Sequence, residues 1–178
     1  MVPFVLALLS LKGFEFRFLC AGVLFLLASY TDYLDGKLAR KKNLVTSFGQ
    51  IMDPMADKIL VSSVLISFVG LGLADFLAVA IIVARELVIT SVRFLILQND
   101  GRVVSANIFG KLKTASQMLA ILSIFSVGAF AETSIFTAEN VRFFSGLNGV
   151  LIWISAGFSV LSGITYVYLN RRSITSSF

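Results

Sequence analysis

Four aspartates, Asp32, Asp35, Asp53 and Asp57, fall in the segment TDYLDGKLARKKNLVTSFGQIMDPMADK, between two long apolar runs. A carboxylate at membrane depth costs roughly 2.5–3.5 kcal/mol on insertion scales, so four together need a neutraliser. A pair of divalent cations is the simplest one. Asp32 and Asp35 are three positions apart, and Asp35 and Ala39 are four apart, which puts them on one helical face. Gly49, Asp53 and Asp57 are each four apart and form a second stripe. The short connection KKNLVTSF favours antiparallel neighbours, so the hairpin brings the two stripes together. Four carboxylates gathered this way can hold two metal ions, an arrangement that clamps the attacking and leaving oxygens of a displacement at phosphorus. Gly36 and Gly49 let a nucleotide approach the helix backbone, and Arg40, one turn beyond Gly36, can pair with a phosphate. A competing reading makes the acids solvated charges, or partners of Lys37, Arg40 and Lys58. One acid at a helix end would fit that reading; four acids, two glycines and an arginine at helical spacing do not.

A second group of polar residues interrupts ARELVITSVRFLILQNDGRVVSANIFGKLKTASQMLAIL. Arg85 and Glu86 lie inside an apolar run, Arg93 lies eight residues beyond Arg85 on roughly the same face, and Lys111 and Lys113 open the following run. Such a concentration of cations suits an anionic acceptor, with arginine pairing bidentately with phosphate and lysine adding a point charge. Glu86 would orient or neutralise one of them. The plainer alternative for Arg93, Lys111 and Lys113 is snorkelling at helix ends towards lipid headgroups.

The elements that must position these groups are helices in a bilayer. Of the 178 residues, 57% are hydrophobic and 14% charged, against about 45–50% and about 25% in soluble domains. Mean hydropathy is +0.92, and there are seventeen Phe but two Pro. The fold class is therefore all-α, a polytopic membrane protein. Six apolar runs can be read, at 1–11 and then about 14–40, 49–71, 76–97, 107–130 and 142–169; the first is shorter than the ~20 residues of a full crossing. The reading expects the sequence to start inside the first helix, without a signal peptide. With no repeat, linker or low-complexity tract, residues 1–178 form one domain. Lys41, Lys42, Arg102, Lys111, Lys113, Arg171 and Arg172 fall on one side of alternating spans, and Lys12, Arg17 and Arg142 on the other. The richer side is cytoplasmic, as are both termini and the opening of the aspartate site. The net charge of +5 lies in loops and helix ends and does not point to nucleic acid. A single cysteine, Cys20, precludes an intramolecular disulfide. The absence of histidine leaves oxygen ligands, which favour Mg²⁺ or Mn²⁺.

The pattern Asp32, Asp35, Gly36, Ala39, Arg40, then Gly49, Asp53, Asp57 resembles the signature of the CDP-alcohol phosphotransferase family, with every position filled. The resemblance implies six transmembrane helices, a homodimer and a cavity open to the cytoplasm. It implies transfer of a phosphatidyl group from a CDP-linked lipid to an alcohol, with release of CMP. By position, Asp32, Asp35 and Asp53 would hold the metals and Asp57 would be the general base as well as near the metal. Asp32, Gly36, Ala39, Arg40 and Gly49 would contact the CDP group. Without histidine, a carboxylate is also the natural base on chemical grounds. The segments RELVIT, GKLKT and VTSFGQIMDPMADKILV resemble the branch that joins CDP-diacylglycerol to glycerol 3-phosphate, forming phosphatidylglycerophosphate. Its acceptor phosphate suits Arg85, Arg93, Lys111 and Lys113. Members of that branch usually open with a polar segment before the first helix, so the chain is expected to lack it. A bacterial plasma membrane is the expected location. Inositol phosphate or phosphatidylglycerol as acceptor are the alternatives within the same chemistry. A cation transporter is the alternative outside it, but it would need polar groups spread across the membrane rather than acids clustered at one depth.

Overall fold

The computed structural model describes residues 1–11, 13–41, 47–100, 108–133 and 135–171; the side chains described exclude those of 33, 36–41, 47–57, 95 and 97–100. Among the described residues the chain is all helical. The helices are α1 (Val2–Ser10), α2 (Arg17–Lys41), α3 (Ser47–Gly70), α4 (Phe76–Asp100), α5 (Ile108–Glu132) and α6 (Ala138–Leu169). Each matches one of the six apolar runs to within a few residues. The start of α6 is the largest difference, four residues earlier than the run at 142. Thr137 explains it, because its side chain accepts the Asn140 N–H and caps a helix whose first turn also carries Glu139. Asp75 caps α4 in the same way, accepting the Ala78 N–H at 3.0 Å. Between α3 and α4 the chain reverses through Gly72, whose φ of +72° is a left-handed conformation that glycine adopts without a Cβ penalty.

The helix contacts close into a circuit, α2–α3–α4–α6–α5 and back to α2, with α1 packed against α2 and α3. Cross-helix contacts fix the directions. Gly22 faces Phe125 while Phe18 faces Gly128 and Arg17 meets Glu132, so α2 and α5 are antiparallel. Gly110 faces Ser162 while Ser123 bonds Asn148, so α5 and α6 are antiparallel too. Arg85 bonds Ser162 while Arg93 lies over Tyr166, so α4 and α6 run the same way. Neighbours an odd number of helices apart are opposed, and the pair two apart is parallel.

The core lies where α1, α2, α3 and α5 converge. Val5, Leu9, Phe25, Val64, Leu65, Phe68, Ile121 and Phe125 are buried there, and the Phe125 ring packs against Phe25 and edge-on to Phe68. Close approach of α2 to α5 depends on Gly128: a Cβ there would sit 2.4 Å from the Phe18 ring. Small residues at such crossings allow the backbone contact that drives helix association in lipid. Glu132 seals one end of this pair. One carboxylate oxygen accepts Arg17 Nε at 3.0 Å, and the other accepts the Phe18 N–H at 3.1 Å, one of the donors a helix start leaves without an intrahelical acceptor. The outward surface of the helices is largely apolar, with Leu26, Leu77, Leu87, Leu119, Trp153 and Ile164 among many large side chains left outside the core. Apolar surface of that extent needs a lipid or protein neighbour. By length and composition α5 and α6 are apolar enough to cross a membrane.

Candidate active site

The polar residues singled out from the sequence gather in one half of the bundle, towards the C-terminal ends of α2, α4 and α6 and the N-terminal ends of α3 and α5. On α2, Asp32 and Asp35 are both exposed, one turn apart on one side of the helix. Asp32 takes part in a polar interaction. The backbones of Gly36, Ala39 and Arg40 continue α2, and those of Gly49, Asp53 and Asp57 lie on α3, which packs against α2. The side chains of these last residues lie outside those described. Among the described residues no group of three or more metal-ligating side chains forms.

The cation group is described in detail. Lys113 is buried on α5 and forms an ion pair and hydrogen bond with Glu86 of α4, itself buried. Lys58, the residue after Asp57, donates from Nζ to Thr90 Oγ1 on α4, and Thr90 in turn donates to the Glu86 carbonyl at 2.6 Å. Arg85 Nη2 donates to Ser162 Oγ of α6 at 2.8 Å. Its side chain crosses there because Gly163 has no Cβ: one would lie 3.2 Å from Arg85 Cγ. The Arg93 guanidinium lies 5.7 Å from the Tyr166 ring centroid, within cation–π range. Glu86 acts electrostatically on both Lys58 and Arg85, so a single carboxylate faces Lys58, Arg85 and Lys113, while Arg93 acts on Lys58 and Arg85 as a like charge. Among the described residues this leaves a net positive charge, which can receive an anion. Among the described residues, the buried donors Arg85 Nε, Arg93 Nε and Gln117 Nε2 have no hydrogen-bond partner.

The structure places Arg85, Glu86 and Lys113 near one another, with Arg93 beside Arg85, and leaves Lys111 on the surface of α5. Lys111 is exposed because two positions along a helix turn its side chain by about 200° from buried Lys113. Glu86 neutralises Lys113 in particular. Sequence reading passed over Lys58, Thr90, Ser162, Gly163 and Tyr166 as parts of this chamber. A signal was present for α6: Ser155, Ser159 and Ser162 recur at helical spacing in an otherwise apolar run, and all three are buried.

The described part of the acidic group is two exposed carboxylates one turn apart on α2, oxygen ligands of the type that suits divalent cations in phosphate chemistry. Comparison with known proteins agrees with that chemistry. The model of the CDP-alcohol phosphatidyltransferase family matches residues 1–161. A Bacillus subtilis protein named CDP-diacylglycerol–glycerol-3-phosphate 3-phosphatidyltransferase is 38% identical over 159 residues, 89% of this chain and 77% of the relative. Proteins of the same name from Mycoplasma pneumoniae and Rickettsia bellii are each 38% identical, over 86% and 81% of this chain and 67% and 75% of their own length. Since the family match spans most of the chain and includes both acidic stripes, this protein belongs to the CDP-alcohol phosphatidyltransferase family.

Proposed function

We propose that the protein transfers a phosphatidyl group from CDP-diacylglycerol to glycerol 3-phosphate, forming phosphatidylglycerophosphate and releasing CMP. Several relatives similar over most of its length carry that activity in their names. The observation that carries the reading is the link made by Lys58. It follows Asp57 directly on the acidic stripe of α3 and reaches Thr90 in the cation chamber of α4. The two half-sites needed for joining a nucleotide-linked lipid to an anionic alcohol are therefore adjacent.

In this reading the acceptor phosphate is held by Arg85 and Arg93, with Lys113 and its partner Glu86 setting the local charge. The acceptor hydroxyl oxygen attacks the phosphorus bearing the lipid, its proton passes to the Asp57 carboxylate, and the bond from that phosphorus to the CMP oxygen breaks. Asp32, Asp35, Asp53 and Asp57 would hold two divalent cations, Mg²⁺ or Mn²⁺, whose charge stabilises the departing CMP. Gly36, Ala39, Arg40 and Gly49 border the CDP group. All six helices enter or cross the bilayer, with both termini and the site on the cytoplasmic side. Alternating helix directions, the exposed apolar surface and the Lys/Arg bias of the loops support that topology. The protein works in a bacterial plasma membrane as a homodimer.

The test is transfer by purified protein in detergent with CDP-diacylglycerol, Mg²⁺ or Mn²⁺ and radiolabelled glycerol 3-phosphate. Label entering the lipid phase, abolished by a chelator and by Asp57→Asn, is the expected result. Inert glycerol 3-phosphate with active inositol phosphate or phosphatidylglycerol would refute the acceptor. Inactivity with all three would refute the reaction.

A further inference from the structure

On the outer wall of the bundle, α4 and α6 border a groove of about 680 Å³ whose lining, apart from Arg85, has no part in the proposed transfer. Its sides are Val88 on α4 and Val160, Ile164 and Val167 on α6, and its end is formed by Tyr168 and Arg171. Val88, Ile164 and Tyr168 are 58%, 63% and 65% exposed, so the groove opens outward, where the bilayer lies. Its floor includes the Arg85 stem packed against Gly163. The lining residues of α6 recur at three- and four-residue spacing, forming one continuous stripe. From Arg171 to Val160 the helix rises about 16 Å. One leaflet of hydrocarbon is about 15 Å thick, half of the ~30 Å core. The charged end of the groove therefore falls at the headgroup level when its apolar end reaches the bilayer centre. The Arg171 guanidinium stands over the Tyr168 ring at 5.0 Å, a pairing of cation and amphipathic ring suited to the membrane interface.

We infer that this groove is a binding site for one anionic phospholipid of the bilayer, an acyl chain lying along Val88, Val160, Ile164 and Val167 and the headgroup phosphate at Arg171. Charge complementarity selects the headgroup, as basic pockets between membrane helices do, and the match to leaflet depth selects a lipid over a soluble ligand. The lipid is distinct from the CDP-linked donor. The acidic stripes that take the donor are on α2 and α3, and α2 lies across the helix circuit from the α4–α6 seam. The inference rests on the reading of α4 and α6 as membrane helices, and is independent of which alcohol accepts the phosphatidyl group.

Native mass spectrometry of the protein released from nanodiscs of phosphatidylglycerol and phosphatidylcholine, mixed one to four, tests it. The wild type is expected to retain one phosphatidylglycerol per chain, enriched severalfold over its share of the bilayer. Arg171→Gln is expected to abolish the enrichment. Val88→Phe, at an outward position that folding tolerates, is expected to lower retention of both lipids about tenfold. Equal retention of both headgroups by the wild type, or unchanged retention in both variants, would overturn the site. Transfer activity measured on the same preparations separates the two readings. Retained phosphatidylglycerol with no transfer leaves the groove standing and removes the proposed reaction. A Val88→Phe protein whose KM for CDP-diacylglycerol rises tenfold would place the donor's own chain in the groove and overturn the inference.

Discussion

Removing the carboxylate of Glu86 is expected to unfold the site before it alters the chemistry. Glu86 and Lys113 keep only 7% and 8% of their side chains exposed, and the same carboxylate also faces Lys58 and Arg85. Breaking a buried pair by removing one partner costs about 3–5 kcal/mol, because the surviving charge is left buried and uncompensated. Glu86→Leu therefore removes a large part of the ~5–15 kcal/mol that holds a typical domain. The two halves of the pair are not equivalent. Lys113→Met leaves the Glu86 carboxylate facing Lys58 and Arg85, so its cost is smaller, about 1–2 kcal/mol less than that of Glu86→Leu. The double variant Glu86→Leu/Lys113→Met removes the orphaned ammonium but leaves Lys58 and Arg85 without Glu86, so it is expected to recover only part of the loss. Denaturant titration of the purified protein in mild detergent, read by circular dichroism, gives all three values. A cost below ~1 kcal/mol for Glu86→Leu, the range of an exposed ion pair, would refute the argument from burial. So would a double variant as unstable as Glu86→Leu alone. Transfer assays on the refolded double variant then show what the pair contributes to acceptor binding once stability is set aside.

Other outcomes follow from the same contacts. Asp57→Asn is expected to lower kcat by about 10²–10⁴ while CDP-diacylglycerol binding, measured by isothermal titration, persists; full turnover would remove Asp57 from the role of base. Arg85→Lys exchanges a planar fork for a point charge and is expected to raise KM for glycerol 3-phosphate about 10–100-fold, corresponding to the ~1.5–3 kcal/mol of a hydrogen bond to a charged group. An equal rise in KM for CDP-diacylglycerol would speak against a dedicated acceptor site. Gly128→Ala drives a methyl into the Phe18 ring and is expected to destabilise the α2–α5 crossing by about 1–3 kcal/mol, with Phe18→Leu in the same chain restoring most of it. Glu132→Ala deprives both Arg17 and the Phe18 N–H of their acceptor and is expected to lower stability by about 1–2 kcal/mol, again by denaturant titration.

Much of the molecule was legible from its residues alone. Long apolar runs have one stable solution in a bilayer, so six helices and their limits could be read directly, and the acids at three- and four-residue spacing stood out as candidates for a functional face. The fold then carried information that spacing could not. Lys111 and Lys113 are indistinguishable in a count of cations, yet helix rotation leaves one exposed and buries the other against Glu86. Lys58 reads as the polar neighbour of an acid until its contact with Thr90, thirty-two positions later, shows which helix it faces. The importance of Ser162 and Gly163 is invisible without α4, since the first accepts from Arg85 and the second makes room for its passage. Periodicity reports which residues share a face of one helix. Which faces of different helices meet is decided by packing between segments distant in the chain, and that is where the acceptor chamber and the α4–α6 groove arise.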